Sequence, residues 1–208
     1  MATTRAARKA VAVPAPAPAQ ADLFAGLSRR QVAELGVPGA GIGLVGGIIA
    51  GVLAATGGLS LAVTLVAAVG LAVPLAVAGA GYDLLLAKGK IPLGPLAPVA
   101  MYMFVAFPLA RVAHAAIVSL AAGERVAVPH GWLDFVVYNM LLSIGFAIGF
   151  WWMHQNYAPR WWWRLRDRNP VASNFIREQL AYQGVAFGER QQKRQERQER
   201  RASSRRER

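Results

Sequence analysis

Long apolar stretches alternate with short polar segments through the middle of the chain. Between positions 39 and 152 almost every residue is apolar, and the polar residues gather in three short interruptions. A helix of about 17 to 25 apolar residues is long enough to cross the hydrocarbon core of a bilayer. The pattern therefore predicts four transmembrane helices, at about 39–56, 59–82, 97–121 and 132–154.

The links between these spans predict how they pair. Gly57-Gly58 is a turn so short that span two must return antiparallel beside span one. Lys88, Lys90 and several prolines form the link to span three, and a short polar loop leads into span four. A backbone in lipid must satisfy its own hydrogen bonds. We therefore expect an all-α, polytopic integral membrane protein made of two antiparallel helical hairpins.

The segments outside the membrane region 38–159 differ in pattern. Residues 1–21 carry three basic residues and, from position 14 to position 19, alternate proline with alanine, so they are predicted to be a disordered basic arm. Residues 22–37 are amphipathic and are predicted to lie at the membrane interface. A tryptophan-rich interfacial segment with a short helix is predicted for 160–182, where Asn169 and Pro170 can begin that helix. Residues 183–208 lack any apolar stripe and are predicted to be a basic, solvated tail.

Composition and charge agree with a membrane protein and add an orientation. Of 208 residues, 55% are hydrophobic and 16% are charged. Residues 38–159 carry four basic and three acidic residues, against five and two in 1–37 and fourteen and six in 160–208. Lysine and arginine concentrate on the cytoplasmic side of membrane proteins. We therefore predict that both termini and the 83–95 loop are cytoplasmic and that the protein lies in the cell (inner) membrane.

Small residues recur at helical spacing in two of the spans. Glycines spaced four apart allow two backbones to touch, which is a common means of helix association in lipid. Two interpretations of the span-one row remain open: packing against span two within one chain, or a glycine zipper between subunits of an oligomer. The predicted helix-packing glycines are Gly39, Gly43, Gly47, Gly51, Gly145 and Gly149.

One arginine stands inside span three. A guanidinium within a span costs roughly 2.5 to 3.5 kcal/mol on insertion scales, so Arg111 needs a partner. His114 follows it on the same helix face, and span four offers Asp134 and Tyr138, themselves four residues apart. We predict that these four residues form a buried charge site that fixes the registry of spans three and four. A proton, ion or substrate path, or an arginine that snorkels to the outer surface, are the alternatives.

Aromatic and basic residues cluster where span four ends. Indole rings favour headgroup depth, and arginines there can reach lipid phosphates. The predicted lipid-interface residues are Trp151, Trp152, Arg160, Trp161, Trp162, Trp163 and Arg164. The basic tail is predicted to bind anionic lipids, with docking of a protein partner as the alternative. Nucleic acid is a poor fit, because the aromatics are not interleaved with the arginines as a stacking platform requires.

The remaining polar residues give no catalytic pattern. Tyr82 and Asp83 are predicted to be an interfacial pair beside the lysines of the next loop. His130 and His154 are expected near opposite membrane faces, too far apart to share a metal ion. The absence of cysteine excludes a disulfide, a thiolate metal site and a cysteine nucleophile. We predict no metal, no cofactor and no enzymatic activity.

The first part of the chain resembles a known family. The sequence from Asp22 to Pro38, Asp-Leu-Phe-Ala-Gly-Leu-Ser-Arg-Arg-Gln-Val-Ala-Glu-Leu-Gly-Val-Pro, is followed at once by a hairpin of two spans. This resembles the opening of the small inner-membrane components of type IV secretion (conjugation) systems, over residues 22–94. The resemblance implies a non-enzymatic subunit that helps a cytoplasmic ATPase to dock at an export channel, with no catalytic residues to carry over.

Taken with the resemblance, these patterns predict a structural or docking subunit of a larger membrane assembly, in contact with other membrane subunits. A secretion or conjugation apparatus is the assembly that the resemblance indicates. A channel or hole-forming protein, lined by the glycine row or by the Arg111 site, is the first alternative. A small lipid-modifying membrane enzyme is the second, with His114 and Asp134 as its only candidate residues.

Overall fold

The computed structural model describes residues 20–128 and 131–181, and its regular elements there are helices. The all-helical prediction is confirmed. The predicted arm up to residue 19, His130 and the predicted basic tail lie outside the described residues. The helices are α1 (Gln20–Ala25), α2 (Arg29–Leu35), α3 (Val37–Thr56), α4 (Leu61–Ala87), α5 (Leu96–Ala121), α6 (Trp132–Leu165) and α7 (170–181).

Helices α3 to α6 are each long and apolar enough to cross a membrane, as the sequence predicted. Neighbours in sequence pack together, and α6 also returns to contact α3, so the four helices form one bundle. Their outward faces carry exposed aliphatic side chains such as Ile48, Leu61 and Leu133. A water-soluble bundle would hide these side chains, whereas hydrocarbon solvates them. We call the end from which α3 starts and α6 leaves the tail end, and the opposite end the loop end.

The contact between α3 and α4 is made by the predicted glycine row. A Cβ atom on Gly39 or Gly43 would overlap a backbone carbonyl of α4, and one on Gly47 would overlap Ala72. On Gly51 it would lie 2.8 Å from the Ala68 side chain. The row therefore brings two backbones into contact inside one chain, which is the first of the two interpretations left open by the sequence.

The expectation for Gly145 and Gly149 was wrong. No heavy atom lies within 4 Å of a Cβ built on either residue, so neither packs against a helix. The residues of α6 that enter the bundle lie on a different face of the helix, roughly 150° away from these glycines. Its buried residues are Asn139, Ser143, Ala147, Phe150, His154, Ala158, Trp162 and Leu165.

Helix α6 does not end at the membrane boundary expected from hydropathy. It continues eleven residues beyond His154, through Pro159 and the whole tryptophan run. The run is therefore helical and presents its rings in different directions, so the lipid-interface prediction fails for Trp162, which is 1% exposed. Trp151 and Trp161 are half-buried and donate hydrogen bonds to backbone carbonyls of other segments. Trp152, Trp163, Arg160 and Arg164 are exposed.

The short helices α1, α2 and α7 pack over the tail end of the bundle, and we call them the tail-end cap. Ser28 and Gln31 form a capping box that starts α2. Asn169 accepts hydrogen bonds from the amides of Val171 and Ala172, which confirms the predicted start of α7. The apolar face of α7 enters the core, except that Leu180 is 56% exposed.

Candidate functional site

The most deeply buried polar contact in the described chain surrounds Asp83, in the last turns of α4. Its side chain is 1% exposed. Oδ2 accepts a hydrogen bond of 2.6 Å from the backbone amide of Gly39, the third residue of α3. Amides in the first turn of a helix have no partner within that helix. Pro38 has no amide hydrogen, so the start of α3 presents few free amides, and Asp83 accepts from one of them. The negative charge of Asp83 is also favourable near the positive end of the helix dipole.

The second oxygen of Asp83 meets His154 on α6. The distance from Oδ1 to Nε2 is 2.6 Å, and the histidine is 3% exposed. An ionised carboxylate only accepts hydrogen bonds, so Nε2 is assigned as the donor in this contact. A buried carboxylate is stable only when it is paired and hydrogen-bonded. Asp83 meets this requirement with one backbone donor and one imidazole donor.

Aromatic rings enclose the imidazole of His154. It stacks on Phe150, with ring centroids 5.8 Å apart, and meets the rings of Tyr82 and Trp162 edge-on at 5.3 and 5.5 Å. Trp162 packs in turn against Phe175 of α7, at 4.4 Å between centroids. One carboxylate thus connects the start of α3, the end of α4 and α6, and the same aromatic cluster reaches the tail-end cap.

This arrangement is suited to holding helices together. Both side chains are enclosed, and both oxygens of the carboxylate already accept hydrogen bonds from the protein. Among residues 20–128 and 131–181, no group of three or more His, Cys, Asp or Glu side chains is placed to hold a metal ion. Asp83 therefore links three helices, α3, α4 and α6, through charge-assisted hydrogen bonds. The tail-end cap packs on the same end of these helices.

Sequence reasoning missed this site because it placed the end of span two five residues too early. Span two was expected to end at Tyr82, which put Asp83 in the interface with the lysines. In the structure α4 continues to Ala87, so Asp83 is an aspartate within a helix and needs a partner as much as Arg111 does. The spacing of four from Gly79 to Asp83 was the available signal, because Gly79 also faces Gly39.

Arg111 is held by neutral groups. Its Nε donates to Oδ1 of Asn139 at 3.1 Å, and its Nη1 lies 2.9 Å from Nδ1 of His114. Asn139 is fixed in turn, since its Nδ2 donates to the carbonyl of Phe135 at 2.8 Å. The contact to His114 agrees with the predicted pairing along one helix face. The link between α5 and α6 is therefore a hydrogen bond to an amide.

The predicted partners of Arg111 on span four were wrong. Within the described part of the chain no carboxylate lies within ion-pair distance of Arg111. Asp134 is exposed in the first turn of α6, where its charge suits the helix start, and Tyr138 is 61% exposed. Each residue of a helix turns about 100°, so Asn139 faces α5 while Tyr138 faces outward.

The tail-end cap is fastened to the bundle by several polar contacts. Trp161 of α6 donates to the carbonyl of Glu34 at 2.8 Å, and the Glu34 side chain pairs with Arg168 at 3.2 Å. Gln31 donates to the carbonyl of Arg168 at 2.6 Å, and Asn169 donates back to the carbonyl of Gln31 at 3.0 Å. The segment that carries the family resemblance is thus joined to the segment after α6.

Comparison with protein-family models, with curated proteins and with solved structures found no match for this chain. The functional inference therefore depends on the geometry described above.

Proposed function

We propose that this chain is a non-enzymatic docking subunit of a larger assembly in the cell (inner) membrane, with both termini in the cytoplasm. The observation that carries the proposal is the tail-end cap. Two segments separated by the whole membrane region are joined there by reciprocal hydrogen bonds. The Trp161–Glu34 hydrogen bond and the Trp162–Phe175 ring contact attach them to α6. The result is a preformed, solvent-facing surface on a membrane anchor.

The surface of the cap has the chemistry of a docking face. Trp163 and Leu180 are exposed beside Arg160 and Arg164, and together they line a shallow groove between α6 and α7. Exposed aromatic and aliphatic side chains beside arginines are typical of protein interfaces. The resemblance of residues 22–94 to a type IV secretion component supports a cytoplasmic ATPase as the partner.

The alternative of a pore lined by the glycine row loses its main support. Each glycine of that row faces α4 within the same chain, so none is available to line an aqueous path through an oligomer without separating α3 from α4.

Site-specific photocrosslinking tests the docking proposal. A photoreactive residue replaces Trp163 or Leu180 on the cap in cells that carry the secretion apparatus. Leu120, an exposed residue near the loop end, is the matched control. The proposal predicts adducts between the two cap positions and a cytoplasmic ATPase, identified by mass spectrometry, and none from position 120. Absence of ATPase adducts at both cap positions, or ion flux from the purified chain in liposomes, would contradict it.

A further inference from the structure

An open groove runs along the bundle between α3 and α6. Its tail-end part encloses about 570 Å³, and a second part of about 460 Å³ extends toward the middle of the bundle. Ile42 and Met153 line both parts, so the two are continuous. We call this the α3–α6 groove. It is open because glycines line it where side chains would otherwise project, at positions 41, 145 and 149.

Two unpaired cations stand at the tail end of this groove. Arg160 and Arg164 are exposed, line its wall and lie four residues apart on one face of α6. Three other arginines at this end have carboxylate partners, since Arg30 and Arg168 share Glu34 and Arg166 pairs with Asp167. Arg29 and Arg177 form no ion pair among the described residues, but they do not line the groove. Neither groove arginine has an acceptor among the residues that the structure describes. The two positive charges at the groove are therefore available to bind an anionic ligand.

The depth of these arginines in the membrane follows from helix geometry. At a rise of about 1.5 Å per residue, α3 from Val37 to Thr56 is about 30 Å long, which is the thickness of the hydrocarbon core. Its first residues therefore lie at the core boundary, and Ile42 and Met153 lie just inside it. Arg160 stands roughly 10 Å beyond Met153 along α6, which carries its guanidinium into the headgroup layer.

We propose that the α3–α6 groove binds one anionic phospholipid from the leaflet at the tail end. Arg160 and Arg164 hold the phosphate, and one acyl chain lies along the apolar groove past Ile42 toward Gly149. The proposal goes beyond the docking function, since it requires neither a protein partner nor a particular orientation. It shares Arg160 and Arg164 with the docking face, whereas Trp163 and Leu180 belong to the docking face alone.

The order of chemistry along the groove favours a lipid as occupant. At core depth the groove is lined mainly by apolar side chains, with Arg111 as its one charged lining residue. Tyr157 follows near the boundary, and two cations lie at headgroup depth, so the apolar part and the cations follow the order of acyl chain and phosphate in a phospholipid. A transmembrane helix from a second copy or from another subunit would also meet Gly145 and Gly149. Such a helix would have to supply acidic side chains opposite both arginines, whereas an anionic lipid supplies the phosphate at that depth in every molecule.

Native mass spectrometry of the full chain in mild detergent tests the site, with phosphatidylglycerol and phosphatidylcholine as probes. The parent should retain phosphatidylglycerol preferentially. In the double variant Arg160→Gln with Arg164→Gln, the ratio of phosphatidylglycerol to phosphatidylcholine affinity should fall roughly 30-fold. This factor corresponds to the about 2 kcal/mol that two cations near the surface contribute. The matched control, Arg29→Gln with Arg177→Gln, removes two exposed cations at the same end that do not line the groove. It should change the preference by less than about threefold.

Filling the groove gives a second, independent test. A Cβ atom added at Gly41 or Gly149 meets no atom of another helix within 4 Å, so we expect Gly41→Leu and Gly149→Leu to fold. Both should weaken phosphatidylglycerol binding, and inorganic phosphate should fail to displace the bound lipid.

Three results would overturn the proposal. One is equal retention of the two lipids by the parent, and another is an equal loss in the control double variant. The third is unchanged lipid binding in Gly149→Leu together with loss of an oligomer, which would assign the groove to a second helix.

Discussion

Asp83 on α4 and His154 on α6 lie 71 residues apart in sequence and 2.6 Å apart between Oδ1 and Nε2. The other oxygen of the same carboxylate accepts from the amide of Gly39 at the start of α3. Three membrane helices therefore meet at one buried carboxylate, directly beneath the tail-end cap. Since both side chains are enclosed, neither can lose its partner without leaving a buried polar group unsatisfied.

The glycine row predicts a sharp dependence on position. Gly43→Ala and Gly47→Ala each add a Cβ that overlaps α4, and forced overpacking typically costs 1 to 3 kcal/mol. The free energy of unfolding in detergent micelles should fall by about that amount in each variant. Gly41→Ala, on the open face of the same helix, is the control and should be neutral or stabilising by up to about 1 kcal/mol. Equal stability of all three variants would contradict the close contact of α3 with α4.

The partner of Arg111 is tested by comparing two residues of α6. Asn139→Ala removes the acceptor of the Arg111 Nε hydrogen bond and should lower the unfolding free energy by about 1 to 3 kcal/mol. Asp134→Ala changes an exposed residue at the helix start and should cost less than about 1 kcal/mol. Double-mutant cycles with Arg111→Met should show coupling to Asn139 and additivity with Asp134. The reverse pattern would restore the ion pair expected from the sequence.

The orientation of the bundle is tested by cysteine labelling, since the parent chain has no cysteine. Lys88 and Glu124 are exposed at opposite ends of the bundle. If both termini are cytoplasmic, a membrane-impermeant reagent added to intact cells should label Glu124→Cys and leave Lys88→Cys unlabelled. Labelling at 88 alone would place the tail-end cap outside the cell and would exclude a cytoplasmic partner for it.

The attachment of α7 depends on Asn169. Asn169→Ala removes the helix cap and the hydrogen bond to the carbonyl of Gln31, and loss of such a cap costs about 0.5 to 2 kcal/mol. Hydrogen exchange should accelerate in 170–181 and remain unchanged in the α3–α4 contact. Asn156→Ala, whose side chain bonds only to its own helix, is the control. Faster exchange throughout the bundle would mean that the cap does not open separately.

Hydropathy was enough to predict the four spans, because the requirement of about 20 apolar residues is set by the bilayer and does not depend on partners. It could not determine which face of α6 enters the bundle. Positions 134 and 138 carry polar residues four apart, and so do positions 139 and 143. The second pair is offset from the first by five residues, which is about 140° around the helix. The contacts with α5 select Asn139, and sequence spacing alone does not contain them.

The end of α4 shows a second limit. Tyr82 and Asp83 interrupt the apolar run, but three leucines and an alanine follow and the helix continues to Ala87. The last turns are covered by the tail-end cap and by α6. Tertiary packing thus converts an apparently interfacial Asp83 into a buried one. For the glycine row, the spacing predicted a close helix contact but did not determine whether α4 or a helix of a second chain was the partner.

The central claim is that the buried Asp83 carboxylate holds α3, α4 and α6 together under the cap. A double-mutant cycle on Asp83 and His154 is its most direct test. The variants are Asp83→Asn, His154→Gln and the two together, with unfolding free energy in micelles as the measurement. Breaking a buried pair from one side typically costs 3 to 5 kcal/mol. We predict a loss of about that size for each single variant, with the second substitution adding little to the first. Losses that add within about 0.5 kcal/mol would mean that the two side chains do not interact, and would contradict the link.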